Sequence, residues 1–248
     1  MILKALLFDV DGTLADTERD GHRPAFNAAF AEAGLNWHWD TTLYGELLAV
    51  TGGKERMRYY AERHDPDFLR RQDCDALIAR MHASKTRQFV QYVQTGGVPL
   101  RPGVLELLQA AGQAGLTLAV VTTTTLANVH SLLAANLHDA ATSTFALIAA
   151  GDVVKAKKPA PDIYDYALQQ LGLRAAECLA IEDSANGLRA ALAAGVPTLI
   201  TTNAYTQDQD FSGALEVLPD LEGIGLDALR QWHARAASVS PPRQAVSG

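Results

Sequence analysis

The chain has 248 residues, a formal net charge of −7, 48% hydrophobic residues and 20% charged residues, values typical of an ordinary globular protein. Its length allows one domain with an insertion or two modest domains, and it can form a core without disulfides. The negative charge argues against general nucleic-acid binding, which needs a basic surface. A negative net charge is nevertheless compatible with an anionic substrate that local lysines and a metal ion bind.

The predicted elements begin with a strand at residues 2–8, an apolar run suited to burial on both faces. Residues 16–95 then show helical spacing of apolar residues with no convincing strand. From residue 100 onwards helices alternate with further strands, which we predict at residues 116–122, 145–151, 177–183 and 196–202.

Strands that alternate with helices form βαβ units and a parallel, doubly wound sheet. We therefore predict an α/β fold with a Rossmann-like core at residues 1–15 and 96–235. An all-helical cap domain is predicted as an insertion at residues 16–95, after the first strand. The end of the chain, residues 236–248, is rich in Ser and Pro and has little to bury, so we expect a disordered tail.

Polar and charged side chains follow four of the predicted strands. In chain order these residues are Asp9 and Asp11, then Thr122, Thr123 and Thr124, then Lys158, and finally Glu182 and Asp183. Because ligands of open parallel sheets bind beyond the carboxyl ends of the strands, we expect these residues to form one site. Each segment alone is typical of an ordinary loop or helix cap, and their order at successive strand ends is what indicates a site.

The residue types at these strand ends suit phosphoryl transfer. The four carboxylates offer only oxygen ligands, which Mg²⁺ prefers. A hydroxyl at Thr122 and an ammonium at Lys158 suit the oxygens of a phosphate group. Together they supply a nucleophile, an acid and base, a metal site and two phosphate contacts.

The ordered motifs, which begin with the segment DVDGT at residues 9–13, resemble those of the haloacid dehalogenase superfamily of phosphotransferases across residues 4–200. The resemblance implies that Asp9 is a nucleophile that forms an aspartyl-phosphate, and that Asp11 protonates the leaving oxygen and then activates water. It also implies that Thr122 and Lys158 hold the phosphoryl oxygens.

The same resemblance implies a bound Mg²⁺ ion. Its ligands would be Asp9, the backbone carbonyl of Asp11 and Asp183, with Glu182 nearby or in a water shell. The helical insertion resembles a small cap that closes over the site, excludes water and recognises the substrate.

Residues 11–40 and the segment YGELLAVTGGKERM at residues 44–57 are similar to the CbbY-type sugar-phosphate phosphatases, whose members dephosphorylate xylulose 1,5-bisphosphate. The resemblance implies substrate contacts from Glu18, Tyr44, Thr51, Gly52, Gly53, Lys54 and Arg56. Exposed glycine N–H groups beside two cations would seat a second phosphate, although a plain helix–helix turn is the alternative interpretation.

Other polar residues of the cap are ambiguous. Lys85 is a candidate for anion contact, and a solvated helix face explains it equally well. His22, His38 and His82 have no visible partner in the sequence, and we expect them to be surface or packed histidines.

We therefore expect a Mg²⁺-dependent phosphatase that converts xylulose 1,5-bisphosphate to xylulose 5-phosphate. The alternatives left open are a β-phosphoglucomutase-like phosphosugar mutase and a phosphatase for another small phosphometabolite. A halide-releasing dehalogenase is disfavoured because it needs no metal, and the set of catalytic positions argues against a non-catalytic binding protein.

Cysteine usage and hydropathy bear on the compartment and the partners. Cys74 and Cys178 lie far apart with no histidine at metal-ligand spacing, so we expect reduced thiols. No apolar run approaches the length of a membrane helix, and no signal-peptide pattern is present. We expect a cytoplasmic monomer whose partner is a small phosphorylated sugar, with no membrane or nucleic-acid partner.

Overall fold

The computed structural model describes residues 2–50, 52–141 and 143–239. The chain divides into two compact units, one of Met1–Ala15 with Leu100–Gly248 and one of Asp16–Pro99. We call the first the core unit and the second the cap unit. Thr51, a predicted substrate contact, lies outside the described residues. Residues 240–248, which make up most of the predicted tail, also lie outside them.

Strands and helices are numbered separately, each in chain order. The strands are β1 Ala5–Phe8, β2 Thr117–Val121, β3 Leu147–Ala149, β4 Cys178–Glu182, β5 Thr198–Thr201 and β6 Val217–Leu218. The α-helices are α1 Arg23–Glu32, α2 Thr41–Leu47, α3 Gly53–His64, α4 Pro66–Leu69, α5 Cys74–Gln94, α6 Val104–Gln113, α7 Leu126–Leu137, α8 Asp162–Leu171, α9 Ala185–Ala193 and α10 Leu226–Val239. A π-helical turn, Thr17–His22, precedes α1, and 3₁₀ turns lie at His138–Ala140, Gly151–Val153 and Ala175–Glu177.

Within the described residues the core unit contains one six-stranded sheet in the order β3-β2-β1-β4-β5-β6, and every neighbouring pair is parallel. This order confirms the predicted doubly wound α/β fold. The strand order reverses at β1, between β2 on one side and β4 on the other, which is the position where such sheets leave a crevice for a ligand. The polar strand ends of β1, β2 and β4 therefore lie next to one another.

The central strands are apolar because helices cover both faces of such a sheet. All four residues of β1 are fully buried, as is the middle of β4. Side chains from β1, β2 and β4 form one cluster with those of α8 and α9, in which Leu7, Val121 and Ile163 are buried completely. This packing fixes the strand ends from which the polar residues project.

The sheet has one strand that was not predicted. β6 has two residues and pairs only at Ile200 with Val217 and Thr201 with Leu218, so it carries no periodic pattern that a sequence could reveal. The segment is defined as a strand by its pairing with β5.

Among its described residues the cap unit has helices as its regular secondary structure, and these helices pack around aromatic side chains. Trp39 is fully buried, with ring centroids 4.8 Å from Phe26 and 4.7 Å from Phe30. The side chain of Asn27 fixes the backbone of Trp39, accepting from its N–H at 2.8 Å and donating to its carbonyl at 2.9 Å. The paired amide bonds order a segment that has no helix of its own.

Two predicted boundaries differ from the structure. The cap unit continues past the predicted end at residue 95, because Val98 is fully buried within that unit beside Gly21. The predicted tail begins too early, since α10 runs to Val239. The Ala-rich composition of this stretch favours a helix where the Ser and Pro content suggested none.

Candidate active site

The geometry of the core unit centres on Lys158. Its ammonium donates to Asp9 Oδ1 at 2.7 Å, to Glu182 Oε1 at 2.5 Å and to the carbonyl of Val121 at 2.8 Å. The side chains of Lys158, Asp9 and Glu182 are 7%, 9% and 1% exposed. One lysine from the loop after β3 thus connects the ends of β1, β2 and β4.

Three carboxylates converge at this point. Asp9, Glu182 and Asp183 are all buried, and each offers an oxygen within 4.8 Å of the others. Asp183 Oδ2 accepts a hydrogen bond from Asn203 Nδ2 at 2.7 Å. The backbone of Gly12 also packs against the Asp183 carboxylate. Gly12 has a φ of +84°, and a Cβ there would lie 2.2 Å from Asp183 Oδ2. Only glycine fits at this turn.

Burial shifts the pKa values of Asp183 and Glu182 in the same direction as the repulsion from neighbouring carboxylates does. Burial, with the charges of Asp9 and Glu182, raises the pKa of Asp183 well above its usual range. Burial also raises the pKa of Glu182, and Lys158 opposes that shift. For Lys158 burial lowers the pKa, but the two neighbouring carboxylates outweigh it and hold the pKa above its ordinary value. The ammonium therefore stays charged.

The donor set fits a hard divalent cation. Three carboxylates face one ammonium, which leaves an excess of negative charge out of water, and a bound cation would offset it. Glu182 Oε2 is buried and accepts no hydrogen bond from the residues that the structure describes. All the ligand atoms are oxygens, which is the chemistry that Mg²⁺ prefers.

The remaining predicted core residues occupy the loops beside this cluster. Thr122 directly follows β2 and is buried, and its hydroxyl accepts from the N–H of Thr124 at 3.3 Å. Thr123 is exposed, whereas Thr124 is half-buried and accepts from Asn128 at 3.3 Å. Asp11 is half-buried in the loop after β1. Their roles toward a phosphate stay predictions.

The cap unit has a polar cluster of its own. The hydroxyl of Tyr44 donates to Glu18 Oε2 at 2.5 Å and accepts from the guanidinium of Arg56 at 2.8 Å. Tyr44 and Arg56 are both buried. Burial alone would raise the pKa of Glu18, but the neighbouring positive side chains and the Tyr44 hydroxyl lower it. Three of the predicted substrate contacts are therefore held together before any substrate binds.

Lys85 and His22 lie beside each other in the same unit. The ammonium of Lys85 is 2.8 Å from His22 Nδ1, and the His22 ring stacks on Phe89 with centroids 3.9 Å apart. His22 is therefore a packed histidine, and its polar partner lies 63 residues away in sequence, where no local pattern indicated it. Burial, with the charge of Lys85, lowers the pKa of His22 to about 3, and Glu18 opposes the shift.

The glycine pair of the cap precedes α3. Gly52, with a φ of +93°, is exposed, and Lys54 is exposed on the first turn of the helix. Gly53 packs closely on His82, since a Cβ there would lie 2.9 Å from its Cδ2. Burial and the charges of Lys85 and Lys54 lower the pKa of His82.

Three residues of the core unit were missed by reasoning from the sequence. Asn203 holds Asp183, and the same strand-end rule would have found it after β5. Tyr164 donates to Glu182 Oε1 at 2.6 Å. It lies on the buried face of α8, where its position in the sequence is typical of a core aromatic. Arg101, in the segment LRPGV, has the sequence context of a loop cation but is buried.

Comparisons with known proteins agree on one family. A family model described as haloacid dehalogenase-like hydrolase matches residues 3–195. Protein CbbY of Cupriavidus necator is 49% identical over 247 residues, which cover 93% of this chain and 97% of that protein. A phosphoglycolate phosphatase of Pectobacterium atrosepticum is 32% identical over 209 residues, 82% of each chain.

A solved structure matches over nearly the same length. A CbbY variant from Rhodobacter sphaeroides, in complex with xylulose 1,5-bisphosphate, is 44% identical. The match has a TM-score of 0.77 and covers 92% of this chain and 99% of that one. Among the described residues of the present chain, no helix has both the length and the apolar character needed to cross a membrane.

Proposed function

Because the chain belongs to the haloacid dehalogenase-like hydrolases and is a CbbY-type phosphatase, we propose that it hydrolyses xylulose 1,5-bisphosphate to xylulose 5-phosphate and inorganic phosphate. The observation that carries the substrate is the 44% identical CbbY structure that holds this bisphosphate. The reaction depends on Mg²⁺ and passes through an aspartyl-phosphate on Asp9.

Asp9 is the nucleophile in this proposal. Lys158 donates to its Oδ1, which orients the carboxylate and places a positive charge beside it. The other oxygen attacks phosphorus while the bond to the sugar oxygen breaks, and Asp11 donates a proton to that oxygen. Asp11 then takes a proton from water, which attacks phosphorus and releases phosphate and free Asp9.

Asp9, the Asp11 carbonyl and Asp183, with Glu182 nearby, would hold the Mg²⁺, which neutralises charge on the transferring phosphoryl group. Glu182 is itself held by Lys158 and Tyr164, so its contribution is to fix the site as well as to add charge. Thr122 and Lys158 would contact the phosphoryl oxygens from the ends of neighbouring strands.

The cap unit supplies the sugar contacts in this proposal. Glu18, Tyr44 and Arg56 are connected by hydrogen bonds, which lowers the entropy cost of binding a hydroxylated sugar. Lys54 and the exposed N–H groups at the start of α3 are suited to a second phosphate. The cap therefore distinguishes a bisphosphate from a monophosphate.

The test of the chemistry is phosphate release from xylulose 1,5-bisphosphate with and without Mg²⁺. Asp9→Asn keeps the shape of the side chain but removes the nucleophile, so we expect a loss of about 10³-fold or more. Asp227→Asn, which alters a side chain that is 92% exposed, serves as the matched control and should leave the rate unchanged. Wild-type turnover by Asp9→Asn would contradict the mechanism.

The test of the substrate compares ketose bisphosphates, monophosphates and p-nitrophenyl phosphate. Loss of the Lys54 ammonium removes a charge-assisted contact worth about 1.5–3 kcal/mol, so Lys54→Ala should lower kcat/KM for the bisphosphate by about 10–100-fold. The rate with p-nitrophenyl phosphate should stay unchanged, as should both rates in the exposed Arg80→Ala control. Conversion of hexose phosphates without phosphate release would instead indicate a mutase.

We also propose that the protein acts in the cytoplasm as a monomer on a small phosphorylated sugar. Cys74 and Cys178 are free and buried, in keeping with a reducing compartment. Light scattering during size-exclusion chromatography measures the mass directly, and a particle of twice the chain mass would contradict the monomer.

A further inference from the structure

Arg101 is a buried arginine that follows the start of the second core segment. It is 8% exposed, and its backbone N–H donates to the carbonyl of Leu14 at 2.8 Å. A guanidinium has five donors in a rigid plane, and burying one is costly unless those donors are used. Its position in the interior therefore calls for an explanation.

The guanidinium donates to backbone carbonyls on three separate segments. Its acceptors include the carbonyls of Gly12, of Thr201 at 3.1 Å, of Thr202 at 2.5 Å and of Pro219 at 2.7 Å. Gly12 belongs to the loop after β1, Thr201 and Thr202 to the end of β5, and Pro219 to the loop after β6. One side chain thus holds three strand ends at a fixed spacing.

Two of these segments are the ones that enclose Asp183. Gly12 lies so close that a Cβ there would be 2.2 Å from Asp183 Oδ2. Asn203, the residue after Thr202, donates to the same oxygen at 2.7 Å. A shift of either carbonyl held by Arg101 would therefore move a group that contacts Asp183.

We propose that Arg101 is a positioning residue for the candidate metal site, which acts by holding Gly12 and Thr202 so that Asn203 sets the orientation of the Asp183 carboxylate. Arg101 does not touch the cation in this scheme. The inference rests on the proposed divalent cation at Asp9 and Asp183, so its test measures binding of that cation directly.

The first experiment titrates the metal-free full-length protein with Mg²⁺ by calorimetry. Removing a group that orients a metal ligand typically weakens metal affinity by 10–100-fold, and we expect this for Asn203→Ala and for Arg101→Met. Arg101→Lys keeps the charge but loses the planar fork, so its affinity should lie between those of the wild type and Arg101→Met. If Arg101→Met does not fold, the Mg²⁺ affinity of Arg101→Lys provides the test.

A double variant separates positioning through Asn203 from an independent effect. If Arg101 acts through Asn203, then adding Arg101→Met to Asn203→Ala should weaken Mg²⁺ binding no further. The substrate KM measured at saturating Mg²⁺ should stay near the wild-type value, while the Mg²⁺ concentration for half-maximal activity rises in step with the calorimetric Kd.

Thr198→Ala is the matched control for a loss of stability. Thr198 is fully buried at the opposite end of β5 and donates to the carbonyl of Val196 at 3.0 Å. The control should lower the melting temperature without changing the Kd for Mg²⁺. Wild-type affinity in Arg101→Met or Arg101→Lys, or additive losses in the double variant, would overturn the inference. Failure of the wild type to bind Mg²⁺ would instead refute the metal site itself.

Discussion

Replacing Lys158 by Met removes an ammonium that contacts two buried carboxylates, while keeping a flexible side chain of similar length. The ammonium lies 2.7 Å from Asp9 Oδ1 and 2.5 Å from Glu182 Oε1, and all three side chains are less than a tenth exposed. The variant therefore leaves two acids facing each other in the interior without a counter-charge. Acids in that position repel and are poorly solvated.

The expected loss of stability follows from this burial. Breaking a buried ion pair by removing one partner costs about 3–5 kcal/mol, because the partner's charge remains out of water. In a chain of this size each kcal/mol corresponds to about 2–4 °C, so the melting temperature should fall by about 6–20 °C. The measurement is thermal unfolding followed by circular dichroism at pH 7.5 in EDTA, which removes divalent cations.

A second substitution tests the electrostatic origin of the loss. Glu182→Gln removes one negative charge and keeps an oxygen that can accept from the Tyr164 hydroxyl. In the wild type it should be destabilising, because it breaks an ion pair with Lys158. In the Lys158→Met variant it should be stabilising, because it removes an uncompensated charge. The change in stability caused by Glu182→Gln should thus have opposite signs in the wild type and in the Lys158→Met variant.

The neighbouring lysine provides the control. Lys157 is exposed, and its ammonium donates to neutral carbonyls, those of Gly151 at 2.5 Å and Val154 at 3.3 Å. Lys157→Met should therefore cost only about 1 kcal/mol, and Glu182→Gln should remain destabilising in that background. An effect of Glu182→Gln with the same sign in the Lys158→Met and wild-type backgrounds would refute the reasoning.

Three further predictions concern stability. A Cβ at Gly187 would lie 1.9 Å from Glu182 Oε2, so Gly187→Ala should be destabilising by about 1–3 kcal/mol. Beyond the backbone of α6 itself, no described atom lies within 4 Å of a Cβ at Gly112, so Gly112→Ala should be stabilising by about 0.5–1 kcal/mol. A melting temperature that rises in Gly187→Ala would contradict the first prediction, and one that falls in Gly112→Ala would contradict the second. Burial lowers the pKa of His22 from 6.5 to about 3, so the unfolded chain binds a proton there at a higher pH than the folded chain does. The free energy of unfolding should therefore fall as the pH drops from 6.5 toward 3, by at most about 1.4 kcal/mol per pH unit from this group. Free energies of unfolding measured by urea titration at several pH values should depend less steeply on pH in His22→Asn than in the wild type.

The predicted site residues that lie together in the structure share one property. Asp9, Lys158, Glu182 and Asp183 lie at or beyond the ends of buried parallel strands, and that position is readable from a run of apolar residues. The parallel sheet then brings them together without any information about side-chain contacts. Asn203 follows β5 in the same way, and it was missed because an amide in a threonine-rich loop gives little chemical signal.

Other contacts leave no trace in local sequence. Arg101 binds carbonyls, which every residue possesses, so no partner residue type could reveal its role. Lys85 meets His22 only because two helical segments of the cap unit pack side by side. Pairings of this kind depend on register between distant segments, which periodicity does not determine.

The insertion of the cap unit after β1 has a consequence for how the protein folds. β1 needs β2 and β4 as neighbours, but Asp16–Pro99 is made between β1 and β2, and Lys158 is 149 positions from Asp9. Closing a flexible loop of about 100 residues costs about 4 kcal/mol in chain entropy, before any contact offsets it.

During synthesis the first strand therefore emerges well before its partners, as an apolar segment with unpaired edges. The cap unit relies on contacts within Asp16–Pro99 and can condense while the rest of the core is still being made. A condensed insertion would bring the two ends of this loop closer together, and we expect this to favour the late pairing of β1 with β2. We therefore expect the cap unit, to which we assign the sugar contacts as a proposal, to act earlier as well, as an aid to assembly of the core sheet.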